Sequence, residues 1–187
     1  MLDPLVQLTI ALSLAALLAA SAAHKMRAWR ELPQVVRNYR LVPDAFAFAV
    51  AGTVPCAEAL AAAALLFPPA RQAGGGAAAA LLVTYAVAIG INLRRGRTSV
   101  DCGCFGSRPG QGIAAWMVWR NLLIAALALG LLLPTSGRAL TAAEHTMAVV
   151  WVVTLAFLYP VPAIVLRSPP PAFEQNDRAA ERARAGG

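Results

Sequence analysis

Two thiols stand one residue apart in the run Asp101-Cys102-Gly103-Cys104-Phe105-Gly106, a polar stretch between long apolar segments. Arg94, Arg95, Arg97 and Arg108 flank the pair, and nearby cations favour the reactive thiolate. A Cys-x-Cys disulfide closes a very small ring with a Cα separation near the upper end of what the bond tolerates, so it should be strained and readily reduced. That property suits exchange with another thiol protein better than stapling. Gly103 and Gly106 permit turns that other residues resist, and so help present both sulfurs. The alternatives are two free thiols, or a soft metal such as Cu(I) or zinc. Two cysteines leave a tetrahedral site half empty, and His24 and His145 are too scattered to complete it. No metal site is assigned.

Ionisable residues inside apolar segments form the second constellation. Glu58 lies about 21 Å along a helix begun at Asp44, and Arg120 about 12 Å along one begun at Gly112. Charges at such depth face a bundle interior and take partners. The expectation is a Glu58–Arg120 ion pair helped by Asn121, acting as a register lock between helices or as a polar wall for a quinone or proton path. Cys56, beside Pro55 in an apolar helix, reads as an inert small hydrophobe. Trp116 and Trp119 read as headgroup-level anchors, and Pro160 and Pro162 as the end of the last helix.

These residues need a membrane to position them. Of the 187 residues 59% are apolar and 13% charged, a composition that belongs to an integral membrane protein. Spanning the hydrocarbon takes about 20 apolar residues. Five stretches qualify, at 4–23, 45–67, 77–93, 113–133 and 147–166. The fold expected is all-α: a polytopic bundle of about five transmembrane helices with a four-helix core, rich in alanine so that backbones approach closely. Trp29, Leu32, Val35, Val36 and Tyr39 recur at helical spacing among basic residues between positions 24 and 43, as in an amphipathic helix on the membrane surface. Residues 1–167 form the membrane domain. Residues 168–187, with Ser-Pro-Pro-Pro followed by Arg, Ala and Glu, form a disordered polar tail.

The net charge of +7 comes with no nucleic-acid recognition motif, so lipid rather than nucleic acid is the partner it implies. Thirteen basic residues fall in the 24–43 and 94–112 loops and the tail, against Arg71 and Arg138 in the other two loops. The positive-inside rule then places the protein in the cell membrane with its N-terminus out. The C-terminus and the Cys102/Cys104 loop face the cytoplasm.

Several stretches resemble the MauE family of methylamine utilisation proteins, within the broader MauE/DoxX group of small redox-associated membrane proteins. They are His24-Lys25-Met26, Arg37-Asn38-Tyr39-Arg40-Leu41-Val42-Pro43, Pro55-Cys56-Ala57-Glu58, Arg94-Arg95-Gly96-Arg97 leading into Asp101-Cys102-Gly103-Cys104-Phe105-Gly106, and Arg120-Asn121. His24 departs from the family pattern, where a small residue is expected, as does the polar tail. The resemblance implies a thiol-disulfide oxidoreductase role beside a thioredoxin-like partner, supporting disulfide formation in an exported client protein, with a quinone as the candidate electron acceptor. The competing reading is a non-enzymatic assembly factor, or a Cu/Zn-binding protein that uses the Cys-Gly-Cys loop.

Overall fold

A computed structural model describes residues 2–98, 113–136 and 138–158. Among them the chain forms six α-helices: α1 Pro4–Arg27, α2 Leu32–Tyr39, α3 Ala47–Leu66, α4 Arg71–Arg94, α5 Ala115–Gly130 and α6 Ala142–Leu158. With their flanking 3-10 turns, the segments holding α1, α3 and α4 are each long and apolar enough to cross a membrane; α5 is a shorter apolar helix. This is an all-α, multi-pass membrane bundle, as the sequence predicts. The fifth expected span, 147–166, runs past the described residues, and its helix starts earlier than expected, at Ala142.

Small residues set the packing. The buried stripe of α1 runs Ala11, Leu14, Ala15, Leu18, Ala22 and Lys25, and that of α3 runs Ala47, Ala51, Pro55, Glu58, Ala61, Ala62 and Leu65. Both follow the three-and-four spacing of one helix face. These stripes meet Ala78, Ala79 and Leu82 of α4, Ala125 and Ala128 of α5, and Leu131 in a four-helix core. Leu60, Phe67, Val87 and Leu123 face outward, where lipid replaces water as the solvent. In such a bundle close backbone approach contributes much of the association, and two glycines of α4 provide it. A Cβ on Gly74 would stand 2.8 Å from the Leu65 backbone nitrogen, and one on Gly75 would stand 3.0 Å from the Ala128 carbonyl oxygen.

The 24–43 segment differs from a single surface helix. Residues 24–27 complete α1, and α2 occupies only the eight residues from Leu32 to Tyr39. Trp29 lies in the turn between them, edge-on to Phe48 at 5.5 Å. Arg40 ends α2 in the left-handed conformation, φ 48°. The carbonyls at the end of α2 find donors at the end of α4: Asn92 Nδ2 donates to Tyr39 O at 3.2 Å, and Arg95 Nη1, just past α4, to Arg40 O at 3.3 Å. Those bonds satisfy acceptors that a helix end otherwise leaves open.

The opposite end of the bundle is tied by polar contacts. Asp3 caps α1 through Leu5 N at 2.8 Å. Leu2 pairs with the backbone at Thr135. Arg138 bridges Asp3 at 3.2 Å and Glu144 at 2.7 Å. Thr141 and Glu144 form a reciprocal capping box at the start of α6, ahead of the apolar stretch that begins at Met147. The Thr141 backbone N–H, then the Arg138 guanidinium, lower the Glu144 carboxyl from 4.5 to about 2.

Two outcomes follow from this packing. Gly74→Ala lowers the thermal midpoint in detergent because backbone must move, whereas Gly76→Ala, with no atom within 4 Å of its Cβ, is neutral or stabilising by up to about 1 kcal/mol. The depressed Glu144 carboxyl means the unfolded chain binds its proton more readily, so this contact stabilises above the ordinary 4.5 and its contribution is lost as pH falls toward about 2. Glu144→Gln therefore flattens the acid limb of midpoint against pH without abolishing folding.

Candidate functional site

The charged centre of the bundle is built from α1, α3 and α4. Ser21 and Lys25 are one turn apart on the inner face of α1. Because helical side chains tilt toward the N-terminus, Lys25 reaches back into the bundle from the last turn. Glu58, fully buried on α3, receives three donors on one oxygen. Lys25 Nζ lies 2.6 Å from Glu58 Oε1, the Ser21 hydroxyl 2.9 Å and the Tyr85 hydroxyl of α4 2.7 Å. Lys25 Nζ also donates to Ser21 Oγ at 2.6 Å and stands 5.3 Å from the centre of the Tyr85 ring. Lys25 is 7% exposed and Glu58 0%. The second carboxylate oxygen, Oε2, is buried without a hydrogen-bond partner among the described residues.

This arrangement corrects the expected Glu58–Arg120 pair. Glu58 bonds to Lys25, Ser21 and Tyr85, and none of its hydrogen bonds goes to Arg120. The physical reason is helix placement. α5 packs along α4 and touches α1, whereas α3 packs on α1, α2 and α4. The Arg120 guanidinium sits 5.2 Å from the Trp116 ring centre, within cation–π range. Asn121 is buried on α5, and its Nδ2 has no hydrogen-bond partner among the described residues. Sequence reasoning counted Lys25 among loop charges and passed over Ser21, Tyr85 and Asn92. The available signal was the Ser21/Lys25 spacing, in register with Leu14 and Leu18.

Beside the ion pair lies a partly open cavity of about 260 Å³. Its lining includes Leu32, Val35, Val36 and Tyr39, the apolar face of α2, together with Val50, Ala51 and Val54 of α3 and Thr84, Tyr85 and Ala88 of α4. Lys25 is the charged group in its wall. Pro55 has no N–H to return to the Ala51 carbonyl, so α3 lacks one helical bond next to this space.

Asp101, Cys102, Gly103, Cys104, Phe105 and Gly106 lie outside the described residues. The two sides of their loop are anchored. Ile89 and Ile113 form a buried cluster with Tyr39, Leu93, Met117 and Val118, and Arg97 N donates to Asn92 O at 3.0 Å after Gly96 turns at φ 68°. Cys56 is exposed on α3 as a free thiol, on the side away from the ion pair's stripe. Trp116 and Trp119 are exposed at the start of α5.

A multi-pass helical bundle with a buried lysine–glutamate centre, whose sequence carries a Cys-x-Cys pair between α4 and α5, defines a class of small membrane protein. The family of the methylamine utilisation protein MauE matches residues 3–134, and the chain belongs to it. The "Methylamine utilization protein MauE" of Paracoccus versutus is 47% identical over 128 residues, which cover 68% of this chain and 69% of that one. Those of Paracoccus denitrificans and Methylorubrum extorquens are 40% identical over 131 residues (70% of each chain) and 42% identical over 139 (73% of this chain, 75% of that one). No solved structure matches the chain.

The buried pair makes a sharp stability forecast. Lys25→Met leaves an uncompensated buried carboxylate and costs about 3–5 kcal/mol. The double variant Lys25→Met/Glu58→Leu recovers much of that loss in detergent melting, whereas Arg120→Met combined with Glu58→Leu gives no such recovery over Glu58→Leu alone.

Proposed function

We propose that this protein is an accessory membrane protein of methylamine utilisation, in which Cys102 and Cys104 exchange disulfides with a thioredoxin-fold partner that serves an exported client. The observation that carries this reading is the Cys102-Gly103-Cys104 pair itself, set among arginines in a loop whose two roots are held by the Ile89/Ile113 cluster.

The exchange proceeds by attack of a thiolate of the partner on one sulfur of the Cys102–Cys104 disulfide. The S–S bond breaks as the mixed disulfide forms, and the electron pair leaves on the other cysteine as thiolate. The partner's second thiolate then resolves the mixed disulfide, so the partner ends oxidised and the Cys102/Cys104 pair reduced. Reversal of the same steps passes electrons the other way, and the compartment that the loop faces sets the direction. The arginine distribution favours the cytoplasm. With Lys25 buried, twelve basic residues rather than thirteen count toward that face, still against two. A reducing compartment favours the direction written above, in which the dithiol partner is oxidised and the Cys102/Cys104 disulfide is reduced.

Removing the resolving cysteine tests the exchange. Cys102→Ser or Cys104→Ser should accumulate a mixed disulfide with a thioredoxin-fold protein, visible as a reducible higher-mass band. Absence of any such adduct in both variants removes the reading and leaves the assembly-factor alternative. In the same cells, a membrane-impermeant thiol reagent should fail to modify Cys102 and Cys104 until the membrane is opened. Modification from outside reverses the orientation.

A further inference from the structure

α2 turns its two faces to two different spaces. Leu32, Val35, Val36 and Tyr39 line the apolar cavity. Gln34, Arg37 and Asn38, at the spacing of the opposite face, line a separate open cleft of about 610 Å³ together with Arg40, Asp44 and Arg97. Three guanidinium groups thus share one cleft with a single carboxylate. None of the three is in an ion pair, since the salt bridges among the described residues are those of Lys25 and Arg138. Arg37 Nη1 donates instead to the uncharged Gln34 Oε1 at 3.5 Å, and Gln34 Nε2 donates to Asn38 Oδ1 at 3.1 Å.

Like charges gathered in this way repel, so the fold has to hold them together. Arg40 stands in the left-handed conformation with its carbonyl bonded by Arg95 Nη1. The buried Asn92 donates from its side chain to Tyr39 O, while its own carbonyl accepts from Arg97 N at 3.0 Å. One residue of α4 therefore ties the end of α2 to the turn after α4, and brings Arg40 and Arg97 to the same cleft. Cations pinned together without a counterion suit an anion that arrives from outside.

Position and neighbours say which anion. The apolar spans of α1 and α4 close at Arg27 and Arg94, and that of α3 opens at Asp44, a residue of the cleft wall itself. The cleft therefore lies where hydrocarbon gives way to headgroups, and guanidinium forks match the oxygens of a phosphate in paired hydrogen bonds. Val42 lines the cleft and the apolar cavity alike. A molecule with phosphate at one end and hydrocarbon at the other can occupy both sides of Val42, whereas a free phosphate would use the cleft alone.

We propose that this cleft binds the headgroup of an anionic phospholipid, with its phosphate among Arg37, Arg40 and Arg97 and one acyl chain passing Val42 into the apolar cavity. The net charge of +7 draws anionic lipid to the whole basic end without choosing a place; the cleft defines a place. Three guanidinium groups less one carboxylate leave +2, so a lipid with two phosphates, such as cardiolipin, balances the cleft more completely than one with a single phosphate. Lys25 stays with Glu58 and takes no part. Cys102 and Cys104 take none either, so the site stands or falls separately from the thiol exchange.

The test uses the full chain in an uncharged detergent, titrated with cardiolipin or with phosphatidylcholine and read by native mass spectrometry. One cardiolipin per chain should be retained, at least about tenfold more tightly than phosphatidylcholine. Arg37→Gln/Arg97→Gln should weaken its binding at least about tenfold. Arg27→Gln/Arg30→Gln, which removes the same charge from exposed positions outside the cleft, should leave it within about threefold. Equal losses in the two double variants, or no preference over phosphatidylcholine, overturn the site and leave diffuse attraction to the membrane surface. Ala88→Phe, which narrows the apolar cavity, should also weaken cardiolipin binding. Unchanged affinity in that variant, or displacement of cardiolipin by sn-glycerol 3-phosphate at equal concentration, overturns the lipid and assigns the cleft to a soluble phosphate compound.

Discussion

The Lys25–Glu58 pair is the constraint on which the rest of the bundle depends. Neither charge could be left alone in a hydrocarbon-facing core, since an isolated buried ion costs several kcal/mol even after relaxation. Each therefore requires the other, and the short contact requires α1 and α3 to hold one register. The core residues these helices otherwise contribute are small alanines and leucines, which permit close approach but discriminate less sharply between one register and a neighbouring one. The pair, with Ser21 below it and the Tyr85 hydroxyl beside it, supplies that discrimination and extends it to α4.

The tie to α4 matters because α4 connects the parts of the molecule that could act together. Its first turns meet α3 and α5 through Gly74 and Gly75, its middle offers Tyr85 to Glu58, and its end holds α2 through Asn92 and the following Arg95. It then ends at Arg94, the root of the cysteine loop. Tyr85 and Arg94 are nine positions apart, about 13.5 Å along a helix. The charged centre and the residues that lead into the Cys102/Cys104 segment are therefore carried by one helix.

Helical spans, the four-helix core and the family were legible from composition, segment length and the motif around Cys102. The partner of Glu58 was not. Depth in a helix identified Glu58 as a group that must be paired, but opposite charge and similar depth selected Arg120, and only the arrangement of helices decides between partners. α5 packs on α4, and the buried face of α3 turns toward α1. Lys25 was read as a loop charge because a span of about 20 residues closes at position 23, and a basic residue just beyond a span ordinarily extends outward to the interface. Here α1 continues to Arg27 and the side chain turns inward. α2 shows the same limit in another form. The spacing of Leu32, Val35, Val36 and Tyr39 revealed an apolar face, but spacing does not say whether lipid or protein covers it.

The hydrogen bonding of Glu58 is lopsided, and the asymmetry has a chemical meaning. Three donors converge on Oε1 while Oε2 is buried without one. A structural salt bridge optimised for stability alone would spread donors over both oxygens, because a bare buried acceptor carries its full desolvation cost. Crowding them on one oxygen instead fixes the side chains of Ser21, Lys25 and Tyr85 around a single point. Lys25 is thus held with its charge balanced at a point shared by α1, α3 and α4, bonded to Glu58 and Ser21 and lying over the Tyr85 ring.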